Sequence, residues 1–172
     1  MDVNISLVLL LLVPILVISV VALSMVRWFT KSFDMQIRAL TNHEQRKQLV
    51  SLRTQAYERL TIYVERIQPQ SIVVREQQLS MTSQQFHSHL LKTIRNEFEH
   101  NLAMQIYMSG DVWLSIIQAR DEMIKLVNTC ATQTNPAHPS MVLGQAIIEQ
   151  SGNVSYAFKK AIDAIKADMA KM

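Results

Sequence analysis

Two residues stand at a spacing that metal chemistry uses. Glu97 and His100 form an E-x-x-H, which on a helix places a carboxylate and an imidazole on one face, as in the di-iron sites of four-helix bundles. Such a site needs a second E-x-x-H and two further carboxylates, and the sequence holds no second copy of the motif. The ordinary reading of His100 is therefore a surface histidine near the middle of a helix. His87 and His89 are two positions apart and point away from each other on a helix, which makes them a poor ligand pair. The single cysteine, Cys130, excludes a disulfide framework and a cysteine zinc site within one chain. It falls on the apolar arc of a helix, where an inert buried thiol is the usual state. Gly110, Gly144 and Gly152 are isolated, so no glycine-rich phosphate loop is present, and no G-x-S-x-G occurs.

More telling are polar residues inside apolar arcs. Arg53 projects between Leu60 and Val64 on a helical wheel, beside Leu49, Ala56 and Tyr57. Glu97, Asn101, Gln105 and His87 share the arc of Phe86, Leu90, Ile94 and Phe98. A lone buried charge costs several kcal/mol, so partners are expected. The stoichiometric answer is an ion pair between Arg53 and Glu97 supported by Asn101, a structural polar network that fixes helix register. Two alternatives stay open: Arg53 reaching to the rim, or the polar edge facing a second subunit.

The elements that must position these residues are helices. The chain has 172 residues, with 49% hydrophobic content and only three glycines and four prolines, too little turn material for a many-stranded sheet. Residues 5–26 carry no charge and would reach ~33 Å as a helix, the length of a bilayer core. The expectation is an uncleaved transmembrane helix with Pro14 at mid-span. A cleaved signal peptide would need a basic start and a shorter apolar run.

Charge then predicts an orientation. Residues 27–53 hold six bases and two acids, and the chain from residue 54 onward is balanced, so the surplus behind the overall +3 lies next to the expected span. Positive flanks remain cytoplasmic, which predicts residues 1–4 outside and the remainder in the cytosol of a single-pass inner-membrane protein. Arg27, Trp28, Phe29 and Lys31 are the expected membrane-interface residues. An isoelectric point near 9.1 is explained by lipid attraction rather than by nucleic acid.

Beyond the span the periodicity is helical. Residues 27–48 read as a basic neck, and residues 49–172 as a helical domain. From Leu49 the apolar positions 49, 52, 56, 57, 60, 63, 64 and 67 form an arc of about 140°, and Pro69 ends the helix. Residues 70–81 form a connection with the unclassified triplet Ile72-Val73-Val74. Thr82 with Gln85 matches a capping box opening a helix over 83–107. Further helices are expected over 111–132, from a Ser140 cap to 150, and over 154–170. The fold class is all-α: one N-terminal transmembrane helix continuing into a cytoplasmic antiparallel bundle of about four to five helices.

The runs LRTQAYERLTIYVERIQP (52–69) and IRNEFEHNLAMQIYMS (94–109), with Trp113 after them, resemble a Bacteroidota family of small single-span, membrane-anchored helical proteins of unknown function. The resemblance implies the anchor and the helical domain, and it brings no activity, cofactor or substrate.

The function expected from the residues is that of a non-enzymatic structural or assembly protein. It would present a cytoplasmic helical module for oligomerisation or partner docking in an envelope complex. The bilayer and a second copy or another membrane-complex protein are the expected partners. No cofactor, metal, small-molecule substrate or nucleic acid is expected. The alternative is a small ligand- or metal-binding bundle enzyme using Glu97, Asn101 and His87. A peripheral-stalk subunit is disfavoured, because the half after Pro69 is rich in loops.

Overall fold

The computed structural model describes the backbone of residues 5–171 and the side chains of residues 15–31, 33 and 44–171. Among them the architecture is helical. The α-helices are α1 (Ile5–Arg66), α2 (Pro69–Glu76), α3 (Ser83–Asn101), α4 (Gly110–Gln133), α5 (Ser140–Glu149) and α6 (Gly152–Met169), with a 3-10 segment, Leu102–Tyr107, after α3. The one β pairing among the described residues is an isolated bridge between Thr82 and Pro139. The chain divides into two compact units, Met1–Leu49 and Val50–Met172.

The expected transmembrane helix is not supported. No helix among the described residues is long and apolar enough to cross a membrane. The uncharged run with described side chains, residues 15–26, covers ~18 Å of helix against a hydrocarbon core of ~30 Å. Arg27 and Lys31 follow it on the same helix. The side chains of residues 5–14, with Pro14, and the expected extracytoplasmic residues 1–4 lie outside the described residues, as do those of residues 34–43 within the expected neck. The single-pass inner-membrane placement and its orientation fall with the span.

In the first unit the described side chains decorate a single helix, and Ile15, Leu16, Val17, Ile18, Val20, Val21, Leu23, Met25 and Val26 are all exposed. These positions occur at every angle around the helix axis at 100° per residue.

The second unit completes its own burial. Tyr57, Leu60, Tyr63, Val64 and Ile67 of α1 meet Phe86, Leu90 and Ile94 of α3 in one core, which α4, α5 and α6 close with Ile116, Met123, Ile147 and Ala161. The part of α1 in this unit runs antiparallel to α3 and the 3-10 segment. Arg53 meets Tyr107, Tyr63 meets Phe98, and Arg66 meets Glu97. α4 packs along α6, and α3 packs on α4 and α5.

Local chemistry explains the boundaries. α1 stops at Arg66, and Pro69, expected only to end it, occupies the first turn of α2. There its missing N–H costs nothing, and it holds Gln68 extended. The triplet Ile72-Val73-Val74 is thus helical, with Ile72 and Val73 buried. Thr82 and Gln85 form the expected reciprocal capping box. α3 ends at Asn101, six residues short of the expected 107, as the chain tightens into the 3-10 segment. The α5 N-cap is Pro139 rather than Ser140. Ser140 instead donates its N–H to the Met81 carbonyl and its hydroxyl to the Gln78 carbonyl. The two loops are stapled a second time by the N–H of Ser83 to the His138 carbonyl and its hydroxyl to the Pro139 carbonyl. A Cβ on Gly144 would stand 3.1 Å from Val73 Cγ1, so this glycine permits the close approach of α5 to α2.

Candidate functional site

The buried charge among the described residues is Asp168, which is 6% exposed. It continues the buried stripe Val154, Phe158, Ala161 and Ile165 along α6. Tyr57 donates its hydroxyl to Asp168 Oδ2 at 2.8 Å, and the Ser109 N–H reaches the same oxygen at 3.0 Å. Arg53 donates through Nη2 to the Tyr57 hydroxyl at 3.0 Å and through Nε to the Tyr107 carbonyl at 3.0 Å. The Tyr57 hydroxyl thus gives one hydrogen bond and receives another. The Ser109 N–H, opposed by burial and assisted by the Tyr57 hydroxyl, holds the Asp168 carboxyl below the usual carboxylate range. Burial, and then the neighbouring carboxylate, pushes the Tyr57 phenol up, while Arg53 acts in the opposite direction. The arrangement ties the end of α6 to α1 and to the turn before α4. It contains a buried anion already supplied with donors, which is a structural lock rather than a poised acid or base.

A second polar cluster lies around Glu97. Arg66 donates to Glu97 Oε1 through Nη2 at 2.6 Å and through Nε at 3.0 Å, and Arg75 Nη2 is 3.8 Å from the same oxygen. Arg75 also donates to Glu76 Oε1 at 2.8 Å and to the Arg66 carbonyl at 3.1 Å. His89 Nε2 completes the row 2.9 Å from Glu76 Oε2. Burial raises the Glu76 carboxyl, but hydrogen bonds from Arg75 and His89 outweigh it and hold the group below its ordinary value.

Between the clusters lies an aromatic layer. Tyr63 packs on Phe98 at 6.0 Å, Phe98 stacks on Trp113 at 5.4 Å, and the Arg120 guanidinium sits 4.1 Å from the Phe98 ring centre. The Tyr63 hydroxyl is buried with no hydrogen-bond partner among the described residues. Burial pushes its phenol far above the ordinary range.

The expected network of Arg53, Glu97 and Asn101 is only partly brought together. Asn101 donates to the Glu97 carbonyl at 2.7 Å, a bond within its own helix. Arg53 and Glu97 do not meet: Glu97 pairs with Arg66, which lies 13 positions along α1 from Arg53, or ~20 Å of helix. A helical wheel gives the angle of a side chain and says nothing of its height. The angular assignment placed Arg53 toward the domain, and the antiparallel register carried it to Tyr107. His87, assigned with Glu97 and Asn101 in the enzyme alternative, lies 2.8 Å from Asn128 Oδ1. His100 donates Nδ1–H to the Asn96 carbonyl at 2.8 Å. Among the described residues no group of three His, Cys, Asp or Glu could hold a metal ion. Cys130 is buried, and burial pushes its thiol up, away from the thiolate that nucleophilic chemistry requires. Arg27, Phe29 and Lys31 are exposed on α1, as is Trp28, and Phe29 stacks on Phe33 at 5.9 Å. With the span overturned, their membrane-interface role has no support.

Sequence reasoning missed Asp168 and the second role of Tyr57. The signal for Asp168 was present, since it extends the spacing 154, 158, 161, 165 by one more step of three and so stands as a carboxylate in an apolar stripe. Arg66 and Arg75 left no such mark, because both stand on exposed or mixed faces.

The cavities of this unit are open grooves. One, of about 450 Å³, lies between the start of α2 and α6 and is lined by Gln68, Phe158, Lys159, Ile162, Asp163 and Lys166 among others. Its charges are mixed and none is deeply buried. No curated protein and no solved structure matches the chain. One protein family does, described as a family of unknown function (DUF7935), and it matches residues 3–172. With a match that covers nearly all of its sequence, the chain belongs to the DUF7935 family.

Proposed function

We propose that this chain is a non-enzymatic assembly protein whose apolar helix, residues 15–33, associates with the same helix of further copies while the Val50–Met172 unit serves as a rigid helical module. The observation that carries this reading is the set of large apolar side chains from Ile15 to Phe33 that no element of their own unit covers. Monomeric proteins rarely expose contiguous apolar patches of this extent, and such patches mark interaction sites. Because the apolar positions occur all round the helix, one flanking helix would cover only one stripe, which favours a bundle of several. The polar groups of the second unit support a structural role: Asp168, Glu97, His87 and His89 are each engaged by neighbouring protein groups. The resemblance to a Bacteroidota family rests on runs that lie wholly within this unit. Sedimentation or native mass measurement of the full chain tests the reading. Masses of several chains at tens of micromolar are expected, and a strict monomer would overturn it.

A further inference from the structure

Within the Val50–Met172 unit, the outward face of α1 is centred on Ile62, 56% exposed, while the other exposed large apolar side chains of this stretch, Val50 and Leu52, stand near its start. Four exposed charges surround it. Taking Ile62 as zero and 100° per residue, Glu58 and Glu65 lie at about −40° and −60°, and Arg66 and Arg59 at about +40° and +60°. The ridge therefore has an acidic edge and a basic edge. Glu58 and Arg59 make no ion pair among the described residues, while Glu65 accepts a hydrogen bond from Gln68 at 2.7 Å. Arg66 holds Glu97 yet keeps 47% of its side chain exposed. Beside Ile62 lies a hollow of about 340 Å³ walled by Tyr57, Thr61 and Met169.

We propose that this face is a docking surface for a second copy of the chain, with the two α1 helices parallel about a two-fold axis running along them. Such an axis lays the acidic edge of each copy on the basic edge of the other, so that Glu58 meets Arg59 and Glu65 meets Arg66 across the contact. Symmetry makes four ion pairs from two. The two Ile62 side chains meet at the centre and fill the hollows beside them. An antiparallel pair would set Glu58 against Glu65 and Arg59 against Arg66, so the charge pattern selects the direction. The strip is small beside the ~800 Å² per partner of a standard interface, which makes the contact concentration-dependent. It is separate from residues 15–33 and stands or falls without them.

The test uses the full chain with Ile62→Cys, oxidised mildly, with Cys130 silent because it is buried. A disulfide-linked pair is expected. Adding Arg59→Glu, which sets Glu against Glu58 twice by symmetry, should slow cross-linking about tenfold, and Glu58→Arg should do the same. The double exchange, Glu58→Arg with Arg59→Glu, should restore the original rate. An antiparallel contact would instead cross-link faster with Arg59→Glu, because the new carboxylate faces Arg66. That outcome, absence of the disulfide, or single reversals without effect would each overturn the proposal. The mass of the uncross-linked chain is read alongside: chains still assembled but unlinked at 62 defeat this face alone, and linked chains without the larger assembly defeat only the role of residues 15–33.

Discussion

Residues 15–33 and the unit Val50–Met172 handle apolar side chains in opposite ways. In the unit, Leu60, Phe86, Ile94, Ile116 and Ile147 reach full burial through contacts with one another. On the helix of the first unit, Ile18, Leu23 and Phe33 remain more than half exposed. The difference is one of available neighbours, because a lone helix can bury at most a stripe of itself, whereas helices from α1 to α6 enclose a common core. On the proposed reading the two stretches should answer to different perturbations, folding stability to changes in the unit and association to changes in the exposed helix.

Substitutions sharpen that division. Phe86→Ala removes a fully buried ring and should cost about 3 to 5 kcal/mol in denaturant unfolding. The triple change Leu16→Ser, Val20→Ser and Leu23→Ser should leave that unfolding transition in place while lowering the assembled mass. If the triple variant loses as much stability as Phe86→Ala, the division fails.

Asp168→Asn should cost about 2 to 3 kcal/mol, because it withdraws the charge that Tyr57 and the Ser109 N–H serve. The effect carries a pH signature. The folded carboxyl is depressed, so its contribution is fully present above the unfolded value near ~4 and is lost as pH falls through the lower folded value. The stability gap between the natural chain and Asp168→Asn should therefore be constant at neutral pH and shrink below about pH 4. A gap that widens with acid would contradict the assignment.

The two buried tyrosines of α1 offer a finer contrast. Tyr57→Phe strands acceptor and donor in a buried network and should cost about 1 to 2 kcal/mol. Tyr63→Phe removes a hydroxyl without a hydrogen-bond partner and should be neutral or stabilise by up to about 1 kcal/mol. Equal losses for the two would mean that the Tyr63 hydroxyl has a partner after all. Arg66→Ala belongs at the same small scale, since the exposed ion pair with Glu97 should be worth no more than about 1 kcal/mol.

Legibility in the sequence follows the range of the interaction. The capping box of Thr82 and Gln85 is set by residues three positions apart, and it could be read directly. The buried arc of α1 was equally plain from Ala56 to Ile67, since periodicity encodes angle, whereas Leu49 and Leu52, expected on the same arc, are exposed because no neighbour among the described residues covers that height of the helix. Partners across the fold were not: Asp168 lies 111 positions from Tyr57, and nothing in a single sequence sets the heights at which helices meet. That is why Arg53 was matched with Glu97 rather than with Tyr57 and Tyr107. The expected membrane span failed for a different reason. It rested on an uncharged run beginning at residue 5, and the described part of that run is too short.

The proposed seat of association is the exposed helix, and the most direct measurement is the mass of the full chain across a concentration series, beside the triple variant at 16, 20 and 23. The natural chain should form assemblies of several copies at tens of micromolar, and the variant should sediment as smaller species with its helical unit still folded. A natural chain that remains monomeric throughout, or a variant whose assemblies are unchanged, would contradict it.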